Sequence, residues 1–264
     1  MSDDLVHADP PPDPWAELRR HTPARIALGR AGTSLPTHEL LRFAAAHAQA
    51  RDAVHVPLDG DALAAELQQD GWATLAVASR APTRDAYLRR PDWGRRLDDD
   101  SVAMLQAAAP VPSSAPPDLV VVAGDGLSAV AVQRHVRPLL QALRAVFDGT
   151  PRPAPTLAPL VIATQARVAL ADEVGALLGA RAALMLIGER PGLSSPDSLG
   201  AYLTFGPQVG RSDAERNCIS NIRPGGLAYE VAARRLAWLL REALRRRVTG
   251  IALKDDSETE LLAP

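Results

Sequence analysis

Lysine is almost missing from this chain: Lys254 is the only one, and every other basic residue is arginine. A Schiff-base lysine and a GxxxxGK[ST] phosphate loop are thereby excluded from the body of the chain. Cysteine is as scarce. Cys218 stands alone, so no internal disulfide can form, which suits a reducing compartment. Histidine occurs only at 7, 21, 38, 47, 55 and 135, without the spacing of a zinc site. Cys218 therefore has no histidine near it in sequence to act as the base of a nucleophilic thiol, and no GxSxG elbow is present. An excess of one charge is missing too. With 29 basic and 31 acidic residues the net charge is −2, which makes no electrostatic case for nucleic acid or an anionic membrane. No apolar run approaches the roughly 18 residues of a membrane span. The acidic, proline-rich start MSDDLVHADPPPDP has neither the basic nor the apolar region of a secretory signal. The expected location is the cytosol.

What is present suffices for one large or two modest cores in 264 residues. Residues 1–14 read as a disordered arm. Pro14 to Leu18 opens a short helix with Trp15 as an anchor, and 22–32 reads as a loop whose arginines pair with local carboxylates. Thr37 caps a helix that carries His47, read as a structural residue. A helix at 60–70, a strand at 72–78, an arginine-dense loop at 87–97 and a helix at 99–109 follow. The arginine-dense loop could be a subunit contact, a surface face or an internal salt-bridge hub, and the first reading is favoured. A stiff proline-rich linker spans 110–117. The expected division is a mainly helical domain, 1–97, and a second domain, 98–264.

From residue 118 strands alternate with helices. Buried-type strands are expected at 119–123, 160–164 and 182–187, with helices at 129–147, 168–178 and 229–247. Pro138 should kink or break the first of these helices. A short apolar segment, Ala201 to Phe205, precedes a polar loop with Asn217, Cys218 and Asn221, and 250–253 closes as a short strand. Such βα alternation predicts an α/β fold with a doubly wound parallel sheet.

Two strand ends carry candidate chemistry. Gly124-Asp125-Gly126-Leu127-Ser128-Ala129 formally matches GxGxxG/A, the NAD-binding turn. Asp125, however, sets a carboxylate where the pyrophosphate should sit, and no acidic residue ends the next strand, so a tight strand-to-helix turn is the better reading. Glu189 ends a buried strand just before Arg190. It is either half of a local ion pair or an acceptor for amide or hydroxyl donors of a ligand, and its strand-end placement favours the second. For Cys218 a packing role outweighs covalent chemistry, with non-covalent ligand contact left open. Val168 offers only backbone or a methyl contact.

IGERPGLSSPDSLGAYLTF with ERNCISNI (187–222), TPARIALGRAG (22–32), AAHAQARDAV (45–54), YLRRPDWGRRL (87–97) and GDGLSAVAVQ (124–133) together carry a resemblance over nearly the whole chain. The chain resembles the small subunit of ethanolamine ammonia-lyase, an adenosylcobalamin-dependent enzyme. The resemblance implies a helical N-terminal part and a Rossmann-like C-terminal part, with adenosylcobalamin held between this chain and a large (β/α)₈-barrel subunit. That subunit would carry the pocket for ethanolamine and most catalytic groups. Cofactor contact would fall on Val168, Glu189 and Cys218, with no catalytic residue and no metal ligand in this chain. The absent DxHxxG signature implies base-on binding, the cobalt keeping the cofactor's own dimethylbenzimidazole. The implied reaction is radical conversion of ethanolamine to acetaldehyde and ammonia. The likeness stops at the two ends, which leaves packaging in a bacterial microcompartment open. Two other readings remain: an NAD-type oxidoreductase using Gly124 to Ala129, and a non-catalytic corrinoid-binding module.

Overall fold

The computed structural model describes residues 15–22, 24–109, 115–150 and 153–257. The arm expected over 1–14, most of the linker and the end of the acidic tail lie outside the described residues. Two compact units divide the chain, Met1–Gln49 and Ala50–Pro264.

In the first unit a 3-10 turn, Ala16–Arg20, precedes the start of α1 (Thr37–His55). Its centre is the carboxylate of Glu39, 7% exposed, which gathers Arg42 at 3.0 Å, His38 at 3.2 Å and Arg19 at 3.3 Å. Arg25 lies over the Phe43 ring, 5.8 Å from its centre. Trp15 is not the expected anchor. It is 63% exposed, because the turn that carries it buries none of its residues.

The second unit is built on a six-stranded sheet in the order β1-β3-β2-β4-β5-β6. The strands are β1 (Thr74–Ala78), β2 (Leu119–Gly124), β3 (Leu160–Thr164), β4 (Ala182–Gly188), β5 (Leu199–Phe205) and β6 (Asn217–Ile222). The strands β1, β3, β2 and β4 run parallel, whereas β5 and β6 are antiparallel to their neighbours. The sheet is thus mixed, which corrects the parallel sheet expected above. The cause is local: segment 189–198 contains no helix to cross the sheet, so the chain can only turn back beside β4.

Leu119, Val121 and Ala123 face one core and Val120 and Val122 the other, so β2 needs apolar residues at every position. On the first face pack α2 (Gly60–Gln69), α5 (Ala129–Asp148) and α7 (Tyr229–Arg246), with Leu63, Leu67, Leu139, Leu143, Leu236 and Leu239 in a common core. On the second pack α4 (Asp99–Ala108) and α6 (Leu170–Leu177) through Leu105, Leu170 and Val174. Each such fully buried leucine contributes roughly 1.5–3 kcal/mol. α5 runs unbroken past Pro138, so the proline does not break the helix. Its buried stripe of Val132, Val136, Leu139 and Leu143 holds it against the sheet.

Three local expectations also change. The polar segment around Cys218 is strand β6, not a loop, with Ile219 and Ile222 turned to the core and Cys218 and Ser220 exposed. Residues 250–253 contain a 3-10 turn, Gly250–Ala252, not a strand; Gly250 adopts φ +76°, outside the extended region. Residues 87–97 are not loop throughout, since α3 (Arg84–Arg89) and the turn Trp93–Arg95 occupy most of them. Arg96 pairs bidentately with Glu173 of α6 at 2.8 and 3.0 Å.

Candidate functional site

Chain order and sheet order disagree at one point. β3 lies on one side of β2, and β4 on the other. The helix after β2, α5, packs on one face, and the helix after β3, α6, on the opposite face. Connections leaving in opposite directions open a crevice at the carboxyl ends of the strands, where open α/β sheets present ligands. An open cleft of about 300 Å³ lies there. It is lined by Gly126 and Leu127 after β2, by Arg167, Val168 and Ala169 after β3, and by Gly188, Glu189 and Arg190 after β4. Tyr87, Arg95, Tyr202 and Asp213 complete its rim. A second cavity, about 360 Å³, sits at the amino ends of β2 and β4 against Asp118 and Arg181. It is at the wrong end of the strands for the crevice rule.

The Gly124-Asp125-Gly126 turn contributes to the cleft and is tied to the neighbouring strand ends through Asp125. Asp125, 3% exposed, directs its carboxylate inward to the backbone N–H of Ala166 at 2.8 Å and of Gln165 at 2.9 Å, with Arg84 at 3.5 Å. Burial raises the Asp125 pKa, and those donors and Arg84 oppose the rise. The N–H of Asp125 goes to Ala163 O and that of Leu127 to Gly188 O. The turn therefore clamps the tips of β2, β3 and β4 together. The amides of Asp125 and Leu127 are thereby spent on the protein, which counts against a dinucleotide phosphate in this turn.

Glu189 stands at the opposite wall. Its Oε2 accepts the Ser198 hydroxyl and the N–H of Asn221 at 3.2 Å, and its own N–H donates to Ser198 O at 2.9 Å. Gly200 leaves room for it, for a Cβ there would lie 2.9 Å from Oε1. Asn221 reaches Glu189 from β6 by adopting φ +60°, a conformation that asparagine tolerates better than most residues. Arg167 is fixed from the other side: its N–H bonds Gly94 O at 2.7 Å and its guanidinium sits 4.5 Å from the Tyr87 ring centre. Burial pushes the Tyr87 phenol up to about 12.

Of the three residues singled out above, the structure brings Val168 and Glu189 to the same cleft. Cys218 is outside its lining. It lies on the edge strand β6 directly opposite Tyr202, whose side chain lines the cleft, so the thiol extends the same surface towards the sheet edge. Burial raises the Tyr202 pKa, and the neighbouring Cys218 and Glu189 raise it further. The sequence reading missed Tyr202 and Ser198, and named Asn221 only within a polar loop. The period of two in β5, with Ala201 and Leu203 on the face opposite Tyr202, was the signal for Tyr202. For Ser198 there was none.

The family model described as Ethanolamine ammonia-lyase light chain (EutC) matches residues 12–254. The chain is 54% identical over 255 residues to the ethanolamine ammonia-lyase small subunit of Pseudomonas syringae pv. tomato, covering 96% of this chain and 86% of that one. It is 55% identical over 262 residues to the small subunit of Pseudomonas putida, covering 98% and 94%. With that of Ralstonia nicotianae the identity is 55% over 251 residues, covering 95% and 91%. This chain belongs to the ethanolamine ammonia-lyase light-chain family.

Proposed function

We propose that this chain is the light subunit of an ethanolamine ammonia-lyase complex, and that its switch-point cleft covers adenosylcobalamin held against the large subunit. One observation carries the reading. Val168 and Glu189, from the ends of β3 and β4, flank the same crevice, and Cys218 continues its surface through Tyr202.

The residues present fit a corrinoid. Its rim is made of neutral amides, which need acceptors and donors but no counter-charge. The Glu189 carboxylate, with acceptor capacity beyond the two donors on Oε2, can take an amide N–H. Val168 offers apolar contact, and the Cys218 thiol and Ser220 hydroxyl, 3.3 Å apart, offer weak polar contact along the edge. An open cleft of about 300 Å³ makes one wall of a site for so large a ligand, which accords with a second subunit forming the other wall. Val168, Glu189 and Cys218 would hold adenosylcobalamin, which when bound would supply the radical chemistry for conversion of ethanolamine to acetaldehyde and ammonia. This chain orients the cofactor and excludes water, and it contributes no group to the chemistry. Among the described residues no helix is long and apolar enough to cross a membrane, and we place the complex in the cytosol.

The test is co-expression with the large subunit. A stable complex should form and turn over ethanolamine only with adenosylcobalamin. Turnover by the light chain alone, or a monomer indifferent to cobalamin, overturns the reading; the second outcome would leave a scaffold or a module for another corrinoid. Glu189→Ala should weaken cobalamin binding by the complex roughly tenfold or more, as expected for a hydrogen bond to a charged group. The circular dichroism of the chain should be unchanged. Unaltered affinity would remove Glu189 from the site.

A further inference from the structure

The segment that returns from β4 to β5 is fastened at three consecutive residues. Pro196 O accepts the Ser128 hydroxyl at 2.9 Å. The Asp197 carboxylate meets Arg134 at 3.1 Å and His135 Nε2 at 3.3 Å. Ser198 binds Glu189 twice, hydroxyl to carboxylate and carbonyl from N–H. Behind Asp197, the other ring nitrogen of His135, Nδ1, lies 2.8 Å from the Tyr229 hydroxyl at the start of α7. His135 is 4% exposed, on the sheet-facing stripe of α5.

The chemistry gives this chain of contacts a direction. Burial holds the His135 pKa below the ordinary imidazole range, so the ring is neutral at neutral pH. Arg134 and His135 keep the Asp197 carboxylate ionised against the effect of its burial. An ionised carboxylate only accepts, so Nε2 carries the ring proton and Nδ1 must accept from Tyr229. Tyr229 thus selects the tautomer that lets His135 donate to Asp197. A buried polar side chain of this kind, satisfied at both ends, restricts its partner to one place.

We propose that His135 is a positioning residue for the cofactor cleft: held by Tyr229, it anchors Asp197, which sets Ser198 and through it the Glu189 carboxylate. The inference rests on the reading of Glu189 as a cofactor acceptor. His135, Tyr229, Asp197 and Ser198 are outside the cleft lining. The effect of this relay would pass entirely through Glu189.

That last property supplies the test, a double-mutant cycle on the complex with its large subunit, using unreactive cyanocobalamin as probe. His135→Ala should weaken cobalamin binding roughly tenfold, the scale seen when an orienting partner of a ligand-binding group is lost. In a Glu189→Ala background the same change should have an effect under about twofold. Equal losses in both backgrounds, or no loss beside an intact Glu189, overturn the proposal while leaving Glu189 in the site. If Glu189→Ala itself binds normally, both readings fall together. Tyr229→Phe, which keeps the ring and removes only the hydroxyl, provides the same cycle should His135→Ala fold poorly. In the cobalamin-free complex, hydrogen exchange of the 189–200 segment should quicken in either variant. Exchange unchanged from the parent would count against the relay.

Discussion

Replacing Arg216 with leucine is expected to cost about 3–5 kcal/mol of folding stability, the largest loss from any single ion-pair residue described here. Arg216 is 6% exposed and its Nη1 binds both oxygens of Asp172, at 2.7 and 2.9 Å. The same nitrogen reaches the Thr204 hydroxyl at 3.2 Å. Asp172, 1% exposed, belongs to α6, and Arg216 immediately precedes β6. The pair therefore ties the helix that follows Val168 to the strand that carries Cys218.

Removing the arginine leaves a buried carboxylate without the counter-charge that touches it, with the Thr204 hydroxyl still bonded to it. Burial already pushes Asp172 up to about 6 against the pull of Arg216, and without that pull it rises further. The sign follows. A folded pKa above the unfolded value near 4 adds stability that is complete below about 4 and lost as pH rises through the folded pKa. The Arg216→Leu variant should therefore be distinctly more stable at pH 5 than at pH 8. Urea midpoints at the two values measure this. The pair Asp172→Leu with Arg216→Leu should recover most of the loss, because an apolar pair of similar volume needs no compensation. A single variant within about 1 kcal/mol of the parent at pH 8 would show that water reaches Asp172.

A methyl group at position 126 should be nearly as damaging. Gly126 has φ +57°, and an added Cβ would lie 2.3 Å from Gly188 O and 2.5 Å from Ile187 Cγ1. The left-handed conformation alone costs a side chain about 1–2 kcal/mol. Forcing apart two packed backbones adds roughly 1–3 kcal/mol. Neither backbone can yield easily, for a Cβ on Gly188 would in turn stand 2.0 Å from Ser128 O. Gly126→Ala should thus lower the melting temperature by roughly 5 °C or more, given about 2–4 °C per kcal/mol at this size. It should also weaken cobalamin binding, since the displaced strand tip carries Glu189. Gly179→Ala is the control: φ is +65° there, with no atom within 4 Å of the added Cβ. It should show the conformational cost alone and leave cobalamin affinity intact. Equal losses at the two positions would mean that the close approach of β2 and β4 is unimportant.

Much of the sheet could be read in advance. Strands β2, β3 and β4 are buried on both faces, so they are written as unbroken apolar runs bounded by turn residues. β6 escaped notice because its outer face is polar and only Ile219 and Ile222 mark the inner one. Glu189 could be suspected from its place after a buried strand. Val168 could not be, since a valine before a helix looks the same whichever crevice it faces. Asp125 showed only that a dinucleotide would be unwelcome; that its carboxylate fastens the β3 tip depends on contact with residues 40 and 41 positions further on.

By itself, the sequence settled which chemistries this chain cannot perform and which segments must be buried, because both follow from residue type and local period. Tertiary structure alone decided that β3 and β4 flank β2 and that Asp172 finds Arg216. These outcomes depend on crossover direction and on charge pairing between distant segments. No local pattern of residues encodes either one.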